Sequence, residues 1–204
     1  MDEPMHIVLF AGFLGSGKTT VISRLIEVIR RRHAGSMALI ENEVGPNGVD
    51  DLLLGGFAEV KITSLLGGCA CCQITGSLLR AIQTIRKDLS PRWLFVELSG
   101  VALLSGIKGQ IAGLLQGDDS LTAVTIIDAV RWMRLRRAAP AFMEDQIQDA
   151  DVILLNKTDV AHETETVRDD VAQVAPKHPI LTFSALSGDG EELFEELCTN
   201  RKEL

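Results

Sequence analysis

The segment Gly12-Phe13-Leu14-Gly15-Ser16-Gly17-Lys18-Thr19 fits the pattern G-x-x-x-x-G-K-[ST] in full. It lies between an apolar, β-branched-rich run, His6 to Phe10, and a stretch in which Val21, Ile22, Leu25, Ile26 and Ile29 recur at helical spacing. A buried strand, a glycine loop and an amphipathic helix in that order leave few choices of fold. The glycines let the backbone curl with successive N–H groups pointing inward, a cradle for phosphate, and the helix adds its positive N-terminal end. Lys18 can reach the β- and γ-phosphates of a nucleotide, and the Thr19 hydroxyl can ligate Mg²⁺. Gly12, Gly15, Ser16, Gly17, Lys18, Thr19 and Thr20 are therefore the expected phosphate-binding set.

Short apolar runs recur along the rest of the chain: Met37–Ile40, Ala58–Ile62, Trp93–Val96, Ala123–Ile127, Val152–Leu155 and Ile180–Phe183. Helical stretches separate most of them, including the Leu78, Leu79, Ile82, Ile85 stripe, Leu103–Leu115, Glu163–Val174 and Leu193–Leu197. Such alternation predicts an α/β fold, the three-layer P-loop NTPase class, with a mostly parallel sheet and helices on both faces. The 204 residues read as one domain, 1–204.

Asn156-Lys157-Thr158-Asp159 follows directly on the apolar strand at 152–155. A carboxylate at Asp159 can accept bonds from guanine N1–H and N2–H₂, a pair of donors that adenine lacks. Asn156 can bond the purine edge and brace the loop, while the Lys157 stem can lie along the ring face. A polar turn after a strand is the plainer alternative. Ser184-Ala185-Leu186-Ser187-Gly188, after the next strand, resembles the guanine-contacting loop of GTPases. With all three segments in order, GTP is expected over ATP. On the strand Trp93–Val96, Glu97 brings an acid beside the phosphates, where it can hold Mg²⁺ through water. Lys18, Thr19 and Glu97 are the expected catalytic set, and Gly100 lets backbone approach the γ-phosphate.

Three of the four cysteines, Cys69, Cys71 and Cys72, are packed into four residues. Clustered thiols suit Zn²⁺, Co²⁺ or Cu⁺; small buried hydrophobes are the alternative. In an extended loop Cys69 and Cys71 would point the same way. Three cysteines do not complete a tetrahedron, so a fourth ligand must come from elsewhere or from a partner chain. Cys198 continues the stripe Leu193, Phe194, Leu197 and reads as core.

The formal net charge of −8 opposes nucleic-acid binding, which needs surplus Lys and Arg. Aromatic content of 4% leaves no base-stacking platform. No apolar run reaches the roughly 18–20 residues that span a bilayer, and the start lacks the basic region of a signal peptide. Clustered cysteines without a disulfide framework agree with a cytoplasmic chain.

At this point the sequence resembles the CobW-type metal-delivery GTPases, relatives of UreG and HypB. The matching segments are Gly12–Thr20, Glu41-Asn42-Glu43 with Gly45, the Cys-x-Cys-Cys loop, Glu97 with Ser99-Gly100, Thr125–Ala129, Gln146-Ile147 and Asn156–Asp159. The resemblance implies that Cys69, Cys71 and Cys72 form the metal site. It implies that Glu41 and Glu43 link nucleotide to metal and join the ligand set. It also implies a nucleotide-dependent homodimer that inserts Zn²⁺, Co²⁺ or Ni²⁺ into a client metalloprotein or corrinoid-related client, Zn²⁺ foremost. Pro46 stands where the family usually has an acid, and Val101-Ala102-Leu103-Leu104 replaces a Leu-Ala-Asp-Pro-like stretch. The expectation is of a short form, near UreG and HypB in size, without the CobW carboxy-terminal domain. A G-protein gatekeeper that carries no metal is the alternative; a small-molecule kinase would need a substrate lid, and none is evident.

Asp50, Glu41 and Glu43 are the candidates for orienting water. Arg131, Arg134, Arg136 and Arg137 read as a solvated helix face before a contact patch, and Trp132 as packing. Asp128 ends a strand at the ligand-bearing edge, with structural and nucleotide-loop roles both open.

Overall fold

The computed structural model describes residues 4–32, 36–41, 60–64, 71–184, 186 and 190–199. Of the expected site residues, Cys69, Glu43 and Ala185 lie outside the described residues, as do Pro46 and Asp50. Seven strands are described: β1 (His6–Ala11), β2 (Met37–Glu41), β3 (Val60–Ser64), β4 (Trp93–Glu97), β5 (Ser120–Asp128), β6 (Val152–Asn156) and β7 (Ile180–Thr182). The described helices are α1 (Lys18–Arg32), α2 (Cys71–Leu89), α3 (Leu104–Ala112), α4 (Trp132–Ala138), α5 (Pro140–Gln148), α6 (Thr164–Val174) and α7 (Glu191–Thr199).

The strands form one sheet in the order β3-β2-β4-β1-β5-β6-β7, and every pairing is parallel. All six residues of β1 are buried, as expected for a central strand covered on both sides. Its side chains alternate between two cores. Ile7, Leu9 and Ala11 face Leu78, Ile82, Ile111, Trp132 and Ile147 from α2 to α5. Val8 and Phe10 face Val21, Ile22, Leu25, Ile26 and Ile29 of α1 with Leu193 and Phe194 of α7. Cys198 packs at the edge of this second core, as its place in the helical stripe suggested.

Chain direction across the sheet diverges at β1, which has β4 on one side and β5 on the other. Such a switch point leaves a crevice at the carboxyl ends of the strands, where open α/β sheets take ligands. Glu41, Glu97, Asp128 and Asn156 are the last residues of β2, β4, β5 and β6. Four polar groups thus reach one edge from four separate segments.

The structure departs from the sequence reading in places. β5 begins at Ser120, three residues before the expected strand, because Ser120 continues the ladder beside His6. α2 begins at Cys71, and Cys69 and Ala70 of the expected extended stretch lie outside the described residues. The helices α4 and α5 were not foreseen as a pair. They are short, of 7 and 9 residues, and Pro140 opens the second at its first turn, where a missing N–H costs nothing. No described helix is long and apolar enough to cross a membrane.

Candidate nucleotide site

The loop after β1 turns on glycines with positive φ: Gly12 (134°), Gly15 (72°) and Gly17 (98°), a region costly for other residues. Neighbours close off the alternatives too. A Cβ on Gly12 would run into the carbonyl of Ile126, and one on Gly17 into Asn156 Nδ2. Lys18 opens α1, is buried, and its Nζ donates to the carbonyl of Gly12 at 3.1 Å. The buried Ser16 Oγ has no hydrogen-bond partner among the described residues. An orphaned hydroxyl inside a glycine cradle fits an oxygen-rich ligand such as phosphate.

Thr19 Oγ1 lies 3.0 Å from both Oε1 and Oε2 of Glu97. A hydroxyl and a carboxylate make a hard oxygen donor set of the kind Mg²⁺ takes. Glu41 is buried and stands beside Glu97 in register, the two Cα atoms paired across β2 and β4. Two carboxylates therefore end adjacent strands at the loop. Of the three residues named for orienting water, Glu41 is the one described.

Gly100 presses against the phosphate loop: a Cβ there would sit 2.6 Å from Leu14 N and 2.7 Å from its Cγ. Behind it, buried Gln146 donates from Nε2 to the carbonyls of Gly100 (3.2 Å) and Ala102 (3.4 Å). Thr125 Oγ1 in turn donates to the Gln146 carbonyl at 2.7 Å.

The Asn-Lys-Thr-Asp segment is joined to the phosphate loop directly. Asn156 Nδ2 donates to the Ser16 carbonyl at 2.8 Å, and Lys157 Nζ to the Gly15 carbonyl at 2.7 Å. Lys157 has a φ of 66°, left-handed backbone for a residue with a side chain, which costs about 1–3 kcal/mol where it occurs. Thr158 donates through both N–H and Oγ1 to the Phe183 carbonyl (3.3 and 2.9 Å), holding the two loops side by side. In the second loop Ser184 is buried and Leu186 exposed; Asp159 is exposed, its carboxylate open to a ligand.

Asp128 does more than end a strand. Its buried carboxylate accepts from Lys157 Nζ and from Arg131 Nε, each at 2.7 Å, and from the N–H groups of Val130 and Arg131. Burial pushes this carboxyl up. The hydrogen bonds and charges of Lys157 and Arg131 outweigh that and hold it below the usual carboxylate range. Arg131 Nη2 also donates to the Leu14 carbonyl at 2.6 Å.

The arginine cluster is therefore no uniform solvated face. Arg131 braces the phosphate loop, and Arg136 pairs with Glu144 at 2.5 Å and lies 3.9 Å from Asp170. Arg134 and Arg137 are exposed. Trp132 is buried, as its reading as packing implied, with Nε1 donating to Asp170. Sequence reasoning missed Arg131 and Gln146 as parts of the site. The available signal for Arg131 was its place three residues after an acid ending a strand.

Cys71 and Cys72 are the first two residues of α2, beyond the carboxyl end of β3. The structure thus brings Lys18, Thr19, Glu97, Glu41, Gly100, Asn156 and Lys157 to one crevice and describes Cys71 and Cys72 by backbone position.

Comparison with known proteins agrees with this geometry. The family described as "CobW/HypB/UreG, nucleotide-binding domain" matches residues 6–182. The zinc chaperone YjiA of Escherichia coli K12 is 31% identical over 195 residues, covering 89% of this chain and 58% of the relative. The zinc chaperone CobW of a Sinorhizobium species is 30% identical over 204 residues, covering 85% and 57%. The chain thus spans somewhat over half the length of these relatives. Among solved structures, the hydrogenase maturation factor HypB of Archaeoglobus fulgidus superposes with a TM-score of 0.73 at 17% identity, covering 97% of this chain and 90% of that one. Zn(II)-bound YjiA superposes at 0.62 with 27% identity, covering 92% and 59%. The chain belongs to the CobW/HypB/UreG family, through its nucleotide-binding domain.

Proposed function

We propose that this chain binds GTP, hydrolyses it slowly, and couples its nucleotide state to the binding and delivery of a transition metal, Zn²⁺ first among candidates. The observation that carries the nucleotide half is the pair of bonds from Asn156 and Lys157 to the carbonyls of Ser16 and Gly15. They make the base loop and the phosphate cradle one site. Asp159 would accept from the guanine N–H groups, and Ser184, Ala185 and Leu186 would line the same base.

In hydrolysis, water attacks the γ-phosphorus and the bond to the bridging oxygen breaks. Lys18 exchanges its bond to the Gly12 carbonyl for phosphate oxygens, and the loop N–H groups stabilise the charge that builds there. Mg²⁺ would be held by Thr19 and, through water, by Glu97, supplying positive charge at the β- and γ-oxygens. Glu41, beside Glu97, would link the nucleotide to the cysteines, as the family resemblance implies. Turnover is expected to be slow, because no motif of the sequence marks a dedicated water-orienting residue; Glu41, Glu43 and Asp50 are the candidates.

The metal half is supported by the three clustered thiols and by relatives named as zinc chaperones. Zn²⁺ is cargo in this reading, passed to a client metalloprotein or corrinoid-related client. A nucleotide-dependent homodimer would bring a second set of thiols to complete the coordination that three leave unfinished.

Competition against a fluorescent GDP analogue tests the nucleotide half. GTP should displace it and ATP should not, and Asp159→Ala should weaken GTP binding. Displacement by ATP as efficient as by GTP would refute the reading.

A further inference from the structure

The geometry points to Arg131 as a positioning residue for the β-phosphate of the bound nucleotide, acting through the Leu14–Gly15 peptide. This inference rests on the nucleotide-binding reading above and concerns a side chain outside the sequence motifs that suggested that reading.

Arg131 is aimed before any ligand arrives. Its N–H donates to the carbonyl and to Oδ1 of Asp128 (both 3.1 Å), and its own carbonyl accepts from Leu135 N–H as α4 begins. With the backbone held at both ends, the side chain reaches back across the loop. Nε donates to Asp128 Oδ2 and Nη2 to the Leu14 carbonyl, so the two ends of one planar fork take two different acceptors. Asp128 is itself held by Lys157, whose ammonium also takes the next carbonyl, that of Gly15. Two cations on one carboxylate thus hold two successive outward carbonyls of the phosphate loop.

Peptide planarity turns this into a statement about the ligand. In a trans peptide the N–H of one residue points opposite to the C=O of the residue before it. Fixing the Leu14 carbonyl toward Arg131 fixes the Gly15 N–H away from it, toward the hollow of the loop. The N–H of Ser16, by contrast, is already spent on the Phe13 carbonyl at 3.0 Å. Gly15 also makes room for the arrangement: a Cβ there would sit 3.1 Å from Nη2, 3.7 Å from Nη1 and 3.8 Å from Cζ of Arg131. On its other side the Leu14 backbone is backed by Gly100. The loop tip is thereby clamped from two directions. A phosphate beyond the first would meet a donor already oriented, and the energy of organising the loop would not be drawn from binding.

An arginine suits the task because a fork can bond an acid and a carbonyl together, whereas a lysine presents a point charge. The predicted signature is a change in what the second phosphate adds to affinity, with recognition of the base untouched.

The test is the ratio of GMP to GDP dissociation constants, measured by displacement of a fluorescent GDP analogue from the full chain. Wild type, Arg131→Ala, Arg131→Lys and the exposed-site control Arg137→Ala are compared, with thermal melting of each. The ratio should fall roughly tenfold in R131A, about the worth of one hydrogen bond involving a charged group. It should recover in part in R131K and stay at the wild-type value in R137A. An unchanged ratio in both Arg131 variants would overturn the inference. So would equal weakening of GMP and GDP, which reports damage to the base site or the fold. Failure of the wild-type chain to bind either nucleotide would instead refute the nucleotide-binding reading itself.

Discussion

Asn156 Nδ2 donates a 2.8 Å hydrogen bond to the Ser16 carbonyl, joining residues 140 positions apart inside a buried contact. The residue that follows the apolar core of β6 therefore holds the turn of the phosphate loop, and a Cβ on Gly17 would push into the same amide. Asn156→Ala should leave a buried carbonyl unpaired at a cost of about 1–3 kcal/mol. Thermal melting should fall by several degrees, and the affinities for GMP and GDP should drop together, unlike the selective loss expected for R131A.

Ser16→Ala should behave in the opposite way on the free protein. Its Oγ is buried without a partner among the described residues, so removing it should leave the ligand-free melting temperature unchanged or slightly raised. The rise in melting temperature on adding GDP should shrink, because the hydroxyl's expected use is on phosphate. A melting scan with and without GDP reads both effects at once.

Asp128 and Asp119 should give stability a shared acid dependence and different functional consequences. At Asp119, burial raises the carboxyl, but N–H groups of Met5 and Gln116 and the Arg86 guanidinium hold it below its ordinary value. A carboxyl depressed in the folded state stabilises above its unfolded pKa, near about 4, and that contribution is lost as pH falls through the lower folded value. Asp128→Asn and Asp119→Asn should each be destabilised at neutral pH, and the gap to wild type should close as pH drops below about 4. Only D128N should lose GDP affinity, because Asp119 sits before β5 at the far end of the sheet. Urea denaturation across pH, with GDP binding at pH 7, separates the two.

Gln146 supports the loop after Glu97 from below. Gln146→Ala would strip two carbonyls, Gly100 and Ala102, of their donor, for a loss of about 1–3 kcal/mol. Because Gly100 is expected to bring backbone to the γ-phosphate, the larger effect should fall on GTP: hydrolysis should slow by more than GDP affinity falls through the contact of Gly100 with Leu14. Single-turnover hydrolysis beside GDP titration checks this.

Much of the architecture could be read from residue patterns because the strands are buried on both faces. Runs such as Val8-Leu9-Phe10 and Val152 to Leu155 carry no polar interruption, and the glycine loop carries its own chemistry. The first three residues of β5 were hidden because Ser120 follows Asp118 and Asp119 and looks like a turn. The pair α4–α5 was hidden because each is short and Arg-rich or proline-led, with few apolar positions to set a period. The adjacency of Glu41 to Glu97 depends on β2 pairing β4, a relation between strands more than fifty residues apart that no local pattern encodes. Arg131 was lost among neighbouring arginines: one of the cluster reaches back to Leu14, and only its place three residues after Asp128 sets it apart from the others.

The central claim, that nucleotide state governs metal binding, is tested most directly by Zn²⁺ titration against a chromophoric chelator, with Mg²⁺ and either GDP or a non-hydrolysable GTP analogue present. Wild type should show Zn²⁺ affinities that differ between the two nucleotides by at least about 5-fold, the lower end of typical coupling between sites. The Cys69→Ser, Cys71→Ser, Cys72→Ser triple variant should lose both the tight binding and the difference. Equal Zn²⁺ affinity in the two nucleotide states, or a triple variant that binds as well as wild type, would contradict the account.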